Sequence, residues 1–353
     1  MLTKVRYTVK DMLKWTRIEV LYFTIYATAI TVLFEIVGFT FLQIPWAPLA
    51  VVGTAVAFII GFQNNAAYGR IWEARKIWGG VVNTSRTWGM MTKVMVGNQH
   101  ASEPVSNEEL KSQRETLIHR HIAWLTAFRH AMRHPKKWEE NMRSKTNKEW
   151  EKEIHIPERI FSLGDDLFDL LSDKEWNYVM SKGNKATALL YLQSQHINDL
   201  KDRGLIWEFS FLQLERVLEE FFTLQGKSER IKNFPYPRQY ATLSYFFVWI
   251  FIALFPIATI SQMSDIGARI AEMHPFAGEY FIWVTIPFSV AVMWIFHTME
   301  RIGRIGENPF EGSPNDVPIS TIARGIEIDL RQMLDEDDDL IPKQFPEVYD
   351  VQM

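Results

Sequence analysis

GTAVAFIIGFQNNAAYGRIWEARKIWGG, residues 53–80, passes without a break from an apolar run into a polar, aromatic and basic segment. Within it Thr54, Phe58 and Phe62 recur every four residues, which places them on one helix face, one turn apart. Gly53, Ala57 and Gly61 repeat at the same interval beside them. Small residues at that spacing let membrane helices approach closely. Spacing alone leaves two readings open. In one, this is an ordinary buried helix whose Phe side chains sit in a core or face lipid. In the other, the helix packs tightly around an axis and points its rings at it.

Composition sets the class around this stretch. The 353 residues are 47% hydrophobic and 23% charged, and the mean hydropathy of −0.10 is too polar for a chain that is all membrane. The average hides segregation, because the apolar residues fall into four blocks. Cysteine is absent, which excludes disulfides and cysteine-ligated zinc within this chain. A net charge of −4 gives no general basic surface for nucleic acid.

The first block, residues 18–44 with Glu35 inside it, exceeds the roughly 20 residues that span a hydrocarbon core. Ala27-Thr28-Ala29 resembles a signal-peptidase site, but the apolar run continues well past it, so a retained helix is expected. The second block, 47–62, is short for a lone span and requires its helix to continue into 63–68. The third is 240–263, with a kink expected at Pro256, and the fourth is 276–299, with Pro287 inside it. Lys4, Arg6, Lys10, Lys14 and Arg17 precede the first block; Arg70, Arg75, Lys76 and Arg86 follow the second; Arg301 and Arg304 follow the fourth. The connections at 44–46 and 264–275 carry almost no strong base. The positive-inside rule then places both termini and the central region in the cytoplasm, with four spans between them.

The expected organisation is an N-terminal helix and two spans at 1–68, a helical cytosolic domain at 69–238, two further spans at 239–299, and a C-terminal helix with an acidic tail at 300–353. Residues 107–132 place Leu110, Leu117, Ile118, Trp124, Leu125, Phe128 and Met132 at mixed three- and four-residue spacing, as an amphipathic helix does. A helical pair is expected at 184–201 and 206–225, with Gly204 at the stop between them. Residues 97–107 and 135–157 read as loops with short helices. A helix is expected from 319 to 334. No strand alternation and no internal repeat is visible.

Several of these segments carry a resemblance. GFQNNAAYGRIWEARKIWG at 61–79 resembles the bestrophin family and its bacterial homologues. The Arg86 segment, IHRHIAWLTAFRHAMR at 118–133, FPYPRQY at 234–240 and ENPFEGSPNDVP at 307–318 follow in family order, so the resemblance covers roughly residues 15–335. It implies an all-α homopentameric ion channel of the inner membrane. Each subunit would carry four transmembrane helices and a large helical cytosolic domain, and the second helix would line a narrow neck. The neck positions that match are Thr54, Phe58 and Phe62, with Thr54 more polar than the family's usual aliphatic residue. Rings of Phe would gate by dewetting and present positive edges to an anion, without a fixed charge to set the sign of the ion.

Gln63, Asn64 and Asn65 follow the rings and are candidates for a polar pore lining; interhelical hydrogen bonding is the competing reading. The family's second constriction, in the cytosol, falls on the 184–200 helix, with Leu189 as the candidate ring residue against a plain core leucine. Animal members bind calcium in an acidic clasp after the Pro-Phe pair. Here the dense acidic run is missing and only Asp316 matches, so no cofactor is expected and calcium activation of the animal kind is not. Asp316 is equally a cap for the following helix. The acidic cluster at 335–339 reads as a solvated tail.

Other groups carry less. Glu35 would line a polar cavity or sit near the interface, where its cost falls. His130 and His134 have ligand spacing without converging partners. Arg70, Glu73 and Arg75 are expected in ion pairs between helices. The spans hold only Glu19, Glu35, His297 and Glu300 as ionisable groups, without the motif spacing of an enzyme, and the inverted repeats of a transporter are absent. The expectation is therefore a channel for small monovalent ions, chloride favoured, with the bilayer and its own copies as partners. A cation-selective pore of the same family and a non-conducting membrane scaffold are the alternatives.

Overall fold

The computed structural model describes residues 1–139 and 144–353. Among them it is helical throughout, with isolated bridges in place of strands. Helix α1 (Val9–Glu35) starts at a capping box: the Thr8 hydroxyl accepts from the Asp11 amide at 3.2 Å, and the Asp11 carboxylate accepts from the Thr8 amide at 2.9 Å. It ends just before Gly38, whose φ of 80° turns the chain. Glu35 is the last residue of α1 and is exposed, so it sits at a helix end rather than inside a span.

Helix α2 (Trp46–Met95) runs for 50 residues, about 75 Å at 1.5 Å per residue. The boundary expected at 68/69 therefore falls inside one unbroken helix. The chain does not stop there because the polar segment finds partners: Arg70 donates to the carbonyls of Glu307, Ile231 and Phe234 at 2.6, 2.8 and 3.1 Å.

Helix α3 (Asn107–Arg133), capped by Ser106, matches the expected 107–132 closely. Short helices α4 (Lys145–Glu153), α5 (Pro157–Ile160), α6 (Leu163–Phe168) and α7 (Asp173–Met180) follow. The loops and short helices expected at 135–157 are found where described; residues 140–143 lie outside the described residues. Helices α8 (Lys185–Asp202) and α9 (Glu208–Asn233) form the expected pair, joined through Gly204 at a φ of 72°. Helix α9 extends beyond the expected end at 225 because Leu214, Leu218, Phe221, Leu224, Ser228 and Ile231 continue one buried stripe.

Helix α10 (Arg238–Ala271) contains Pro256; α11 (Pro275–Tyr280) and a 3-10 turn (Phe281–Val284) lead into α12 (Thr285–Ile305), and α13 (Ile319–Met333) closes the set. The boundary expected at 299/300 also falls within a helix. Among the described residues four segments are long and apolar enough to cross a membrane: α1, α2, α10 and the stretch from α11 through α12. The chain is an all-α membrane protein, and among the described residues its two largest hydrophobic clusters lie at opposite ends of α2. In the apolar half α2 packs on α10 and α12, around Phe23, Val56, Ile60, Phe251, Phe255 and Met293. In the other half α2 packs on α9 and α13, and α3 on α8, around Trp78, Trp88, Trp124, Phe128 and Phe221. Trp78 stacks on Phe128 with centroids 5.0 Å apart and planes 7° apart.

Candidate functional site

The apolar half of α2 has one committed face and one free face. Leu49, Gly53, Val56, Ile60, Gln63 and Ala67 are buried at alternating four- and three-residue steps, the spacing of a stripe packed on neighbouring helices. Gly53 permits the approach of α10, since a Cβ there would lie 2.8 Å from the Phe251 ring. Thr54, Phe58 and Phe62 point elsewhere. Phe58 is 65% exposed and Phe62 71%, and Thr54 is exposed with them. Ala57 and Gly61 lie open beside the rings. The Thr54 hydroxyl donates to the Ala50 carbonyl at 2.9 Å, so its proton is used within its own helix.

The three amides after the rings separate. Only Asn65 is exposed. Gln63 is 3% exposed and turns into the chain, its Nε2 3.4 Å from Glu307 Oε1. The side chain of Asn64 is covered by α12, where a Cβ on Gly303 would come within 2.4 Å of Asn64 Oδ1. A lining role for Gln63 and Asn64 is thereby corrected: both sit on the packed side of α2, which favours the competing reading of contact between helices. The signal was in the sequence, since 63 and 67 continue the steps of 49, 53, 56 and 60.

Behind the rings lies a polar cluster that the sequence reading did not assemble. Glu307 is buried; its carboxylate meets Gln63 from α2 and Arg238 Nη2 from the start of α10 at 3.5 Å. Burial pushes its carboxyl up to about 7, against the pull of Arg238, Gln63 and Arg70. Glu73 pairs with Arg230 at 2.6 Å, as expected of an ion pair between helices, whereas Arg70 is held by carbonyl oxygens and Arg75 is exposed. Further along the free face of α2, Lys76 is exposed.

Leu189 is not a ring residue. It is 0% exposed and belongs to the core that α8 forms with α3 and α9. Asp316 is buried and closes its own turn, accepting from Gly312 N at 2.8 Å, Ser313 N at 2.9 Å and Ser313 Oγ at 2.5 Å. It does not cap α13, whose N-cap is Pro318. Burial raises its carboxyl above the usual range. Calcium takes 6–8 oxygen ligands, and a single buried carboxylate already accepting three hydrogen bonds does not fit it. Among the described residues no group of three or more His, Cys, Asp or Glu is placed to hold a metal. His130 meets Asp166 at 2.9 Å, while His134 is the exposed C-cap of α3. Of the acidic cluster, Glu336 is tied to His119 at 2.6 Å and Arg331 at 2.8 Å, and Asp335 pairs with Lys93 at 2.6 Å while staying exposed, as Asp337, Asp338 and Asp339 do.

The family model described as Bacterial/Fungal Bestrophin protein matches residues 5–332. The voltage-dependent anion channel-forming protein YneE of Escherichia coli K12 is 24% identical over 310 residues, which is 87% of this chain and 84% of that protein. The voltage-dependent anion channel-forming protein RSc3414 of Ralstonia nicotianae is 24% identical over 293 residues, 82% of this chain and 77% of that one. A crystal structure of a bacterial bestrophin homologue from Klebsiella pneumoniae superposes with a TM-score of 0.70 at 19% identity, covering 91% of this chain and 99% of that one.

Proposed function

This chain belongs to the bacterial and fungal bestrophin family, and from that premise we propose that it is a homopentameric channel passing small anions, chloride first, across the cell membrane. The observation that carries the reading is the free aromatic face of α2. Phe58 and Phe62 stand exposed on a membrane-length helix whose other face is fully packed. Five copies arranged about an axis would join them into two apolar rings, with Thr54 one turn outward and Asn65 one turn inward. Ala57 and Gly61, open beside the rings, would let neighbouring copies of α2 approach.

Apolar rings gate by dewetting, and ring edges carry the positive end of the aromatic quadrupole. The neck holds no fixed charge. Anion preference gains support from Lys76 on the free face further along, where the nearby Glu73 is already neutralised by Arg230. Both termini lie in the cytoplasm in this reading, consistent with the basic residues before α1 and after α12.

The deciding experiment is the reversal potential of the purified protein in a planar bilayer under a KCl gradient. Reversal near the chloride equilibrium potential is expected. Reversal near the potassium value would replace the anion reading by a cation-selective pore. Absence of current from intact reconstituted pentamers would overturn the channel reading in favour of a scaffold.

A further inference from the structure

The nine residues of α4, KTNKEWEKE, hold three lysines and three acids. The acids are all spent on cations of other elements: Glu149 pairs with Arg17, Glu153 with Lys14 at 3.0 Å, and Glu151 with Arg159. At Glu149 the charge of Lys145 counts for less than that of Arg17, which bonds the carboxylate directly. The lysines are left over. Lys145, Lys148 and Lys152 are exposed, and among the described residues none of them makes an ion pair or a hydrogen bond through its ammonium. They are three and four residues apart and share one face, opposite the buried Thr146 and Asn147.

The same pairs set the level of α4 against the membrane. Glu149 meets Arg17 while Glu153 meets Lys14, so α4 runs antiparallel to the start of α1. Arg17 directly precedes the apolar block of α1, and Lys14 lies about 4.5 Å further out at 1.5 Å per residue. The polar layer on each side of a bilayer is roughly 5–7 Å deep, so this stretch lies within it. Arg301, near the end of α12, fixes the start of α4. Its Nη2 donates to Ser144 Oγ at 2.7 Å, Thr146 Oγ1 at 2.6 Å and Asn147 Oδ1 at 3.0 Å, and its Nη1 donates to Glu19 Oε1 at 2.9 Å. The lysine face is therefore carried on a helix tied to two membrane-crossing helices.

Above it α1 is bare. Leu21 and Ile25 continue the face that carries Arg17, one and two turns further into the span, and both are exposed. Three unopposed positive charges at the depth of the phosphates thus adjoin an apolar strip at the depth of the chains. That combination matches one kind of molecule, which carries a negative head and an apolar tail.

We propose that the lysine face of α4 and the bare strip of α1 together bind an anionic phospholipid. Lys145 and Lys148 face its phosphate, Lys152 adds charge further from the hydrocarbon, and an acyl chain lies along Leu21 and Ile25. The site does not involve the aromatic face of α2.

The test is native mass spectrometry of the full-length protein released from a neutral detergent that carries equal amounts of phosphatidylglycerol and phosphatidylcholine with the same chains. It reads bound lipid and not current, so its outcome is independent of whether the protein conducts. Phosphatidylglycerol should be retained in preference, saturating at one lipid per chain. Lys148→Gln should weaken it about fivefold, the share of one basic residue beside an anionic lipid, and leave phosphatidylcholine unchanged. Lys174→Gln, equally exposed but on α7, should change neither. Replacing Lys145, Lys148 and Lys152 together by Gln should abolish the preference. Equal retention of the two lipids by the unaltered protein would overturn the proposal. So would an undiminished preference in a triple variant of native melting temperature, or an equal loss in Lys174→Gln. Should the triple variant fail to fold, the unaltered protein decides: the preference should shrink as salt rises, and a preference indifferent to salt would overturn the proposal.

Discussion

Gln63 Nε2 lies 3.4 Å from Glu307 Oε1, so the residue next to Phe62 is joined to the first residue of the Glu-Asn-Pro-Phe turn. The contact links the free aromatic face of α2 to the segment that leaves α12. It also gives a buried carboxyl a partner that does not neutralise it.

Glu307 should therefore make stability depend on pH. Its carboxyl titrates at about 7 in the fold against an ordinary value of 4.5, because burial disfavours the charged form. The folded state holds this proton more tightly than the unfolded state. The stabilisation is complete below pH 4.5 and is lost as pH rises towards 7, by about 3 kcal/mol at most. Thermal unfolding in detergent across that range should show the decline, and Glu307→Gln should flatten it. A decline of equal size in the variant would assign it to other groups.

Phe58→Ala and Phe62→Ala should separate conduction from folding. Both side chains are exposed in the subunit, so truncation should cost its fold no more than ~0.5 kcal/mol. If they form the neck, single-channel conductance should rise in each. Unchanged conductance in both would remove these residues from the ion path.

Leu189→Ala should behave as a core truncation. Its side chain is fully buried between α3, α8 and α9, and deletions of that kind cost about 2–5 kcal/mol. Denaturation should report the loss while the reversal potential stays where it was. A shift in selectivity without loss of stability would return Leu189 to the pore.

Gly303→Ala should push α12 off α2. The new Cβ would lie 2.4 Å from Asn64 Oδ1 and 3.3 Å from Gln63 Cγ, closer than packed atoms sit. Overpacking of this kind costs about 1–3 kcal/mol. Asn64→Ala in the same chain should recover most of the loss. A double variant no more stable than Gly303→Ala alone would mean that Asn64 is not the obstacle.

Much of the architecture was legible residue by residue. The helix over 107–132, the pair around Gly204 and the four apolar spans follow from local rules, namely cap residues, periodic burial and a run long enough for a bilayer. The boundaries expected at 68/69 and 299/300 mark a change of polarity and not the end of a helix. Polarity changes there, but a helix continues wherever its polar side chains find partners, and those partners for Arg70 are carbonyls at 231, 234 and 307, remote in the chain.

The site divides in the same way. By itself the sequence determined that Thr54, Phe58 and Phe62 share a helix face, because 3.6 residues per turn is a property of the backbone. It also determined that the four spans are apolar enough for a membrane. Only the tertiary structure decided which face of α2 is spent on α10 and α12. It turned Gln63 and Asn64 inward while leaving the two rings free, and it placed Leu189 in a core and Asp316 in its own turn. Periodicity fixes the angle between side chains on one helix, whereas exposure depends on which other helices arrive, and those contacts join residues hundreds of positions apart.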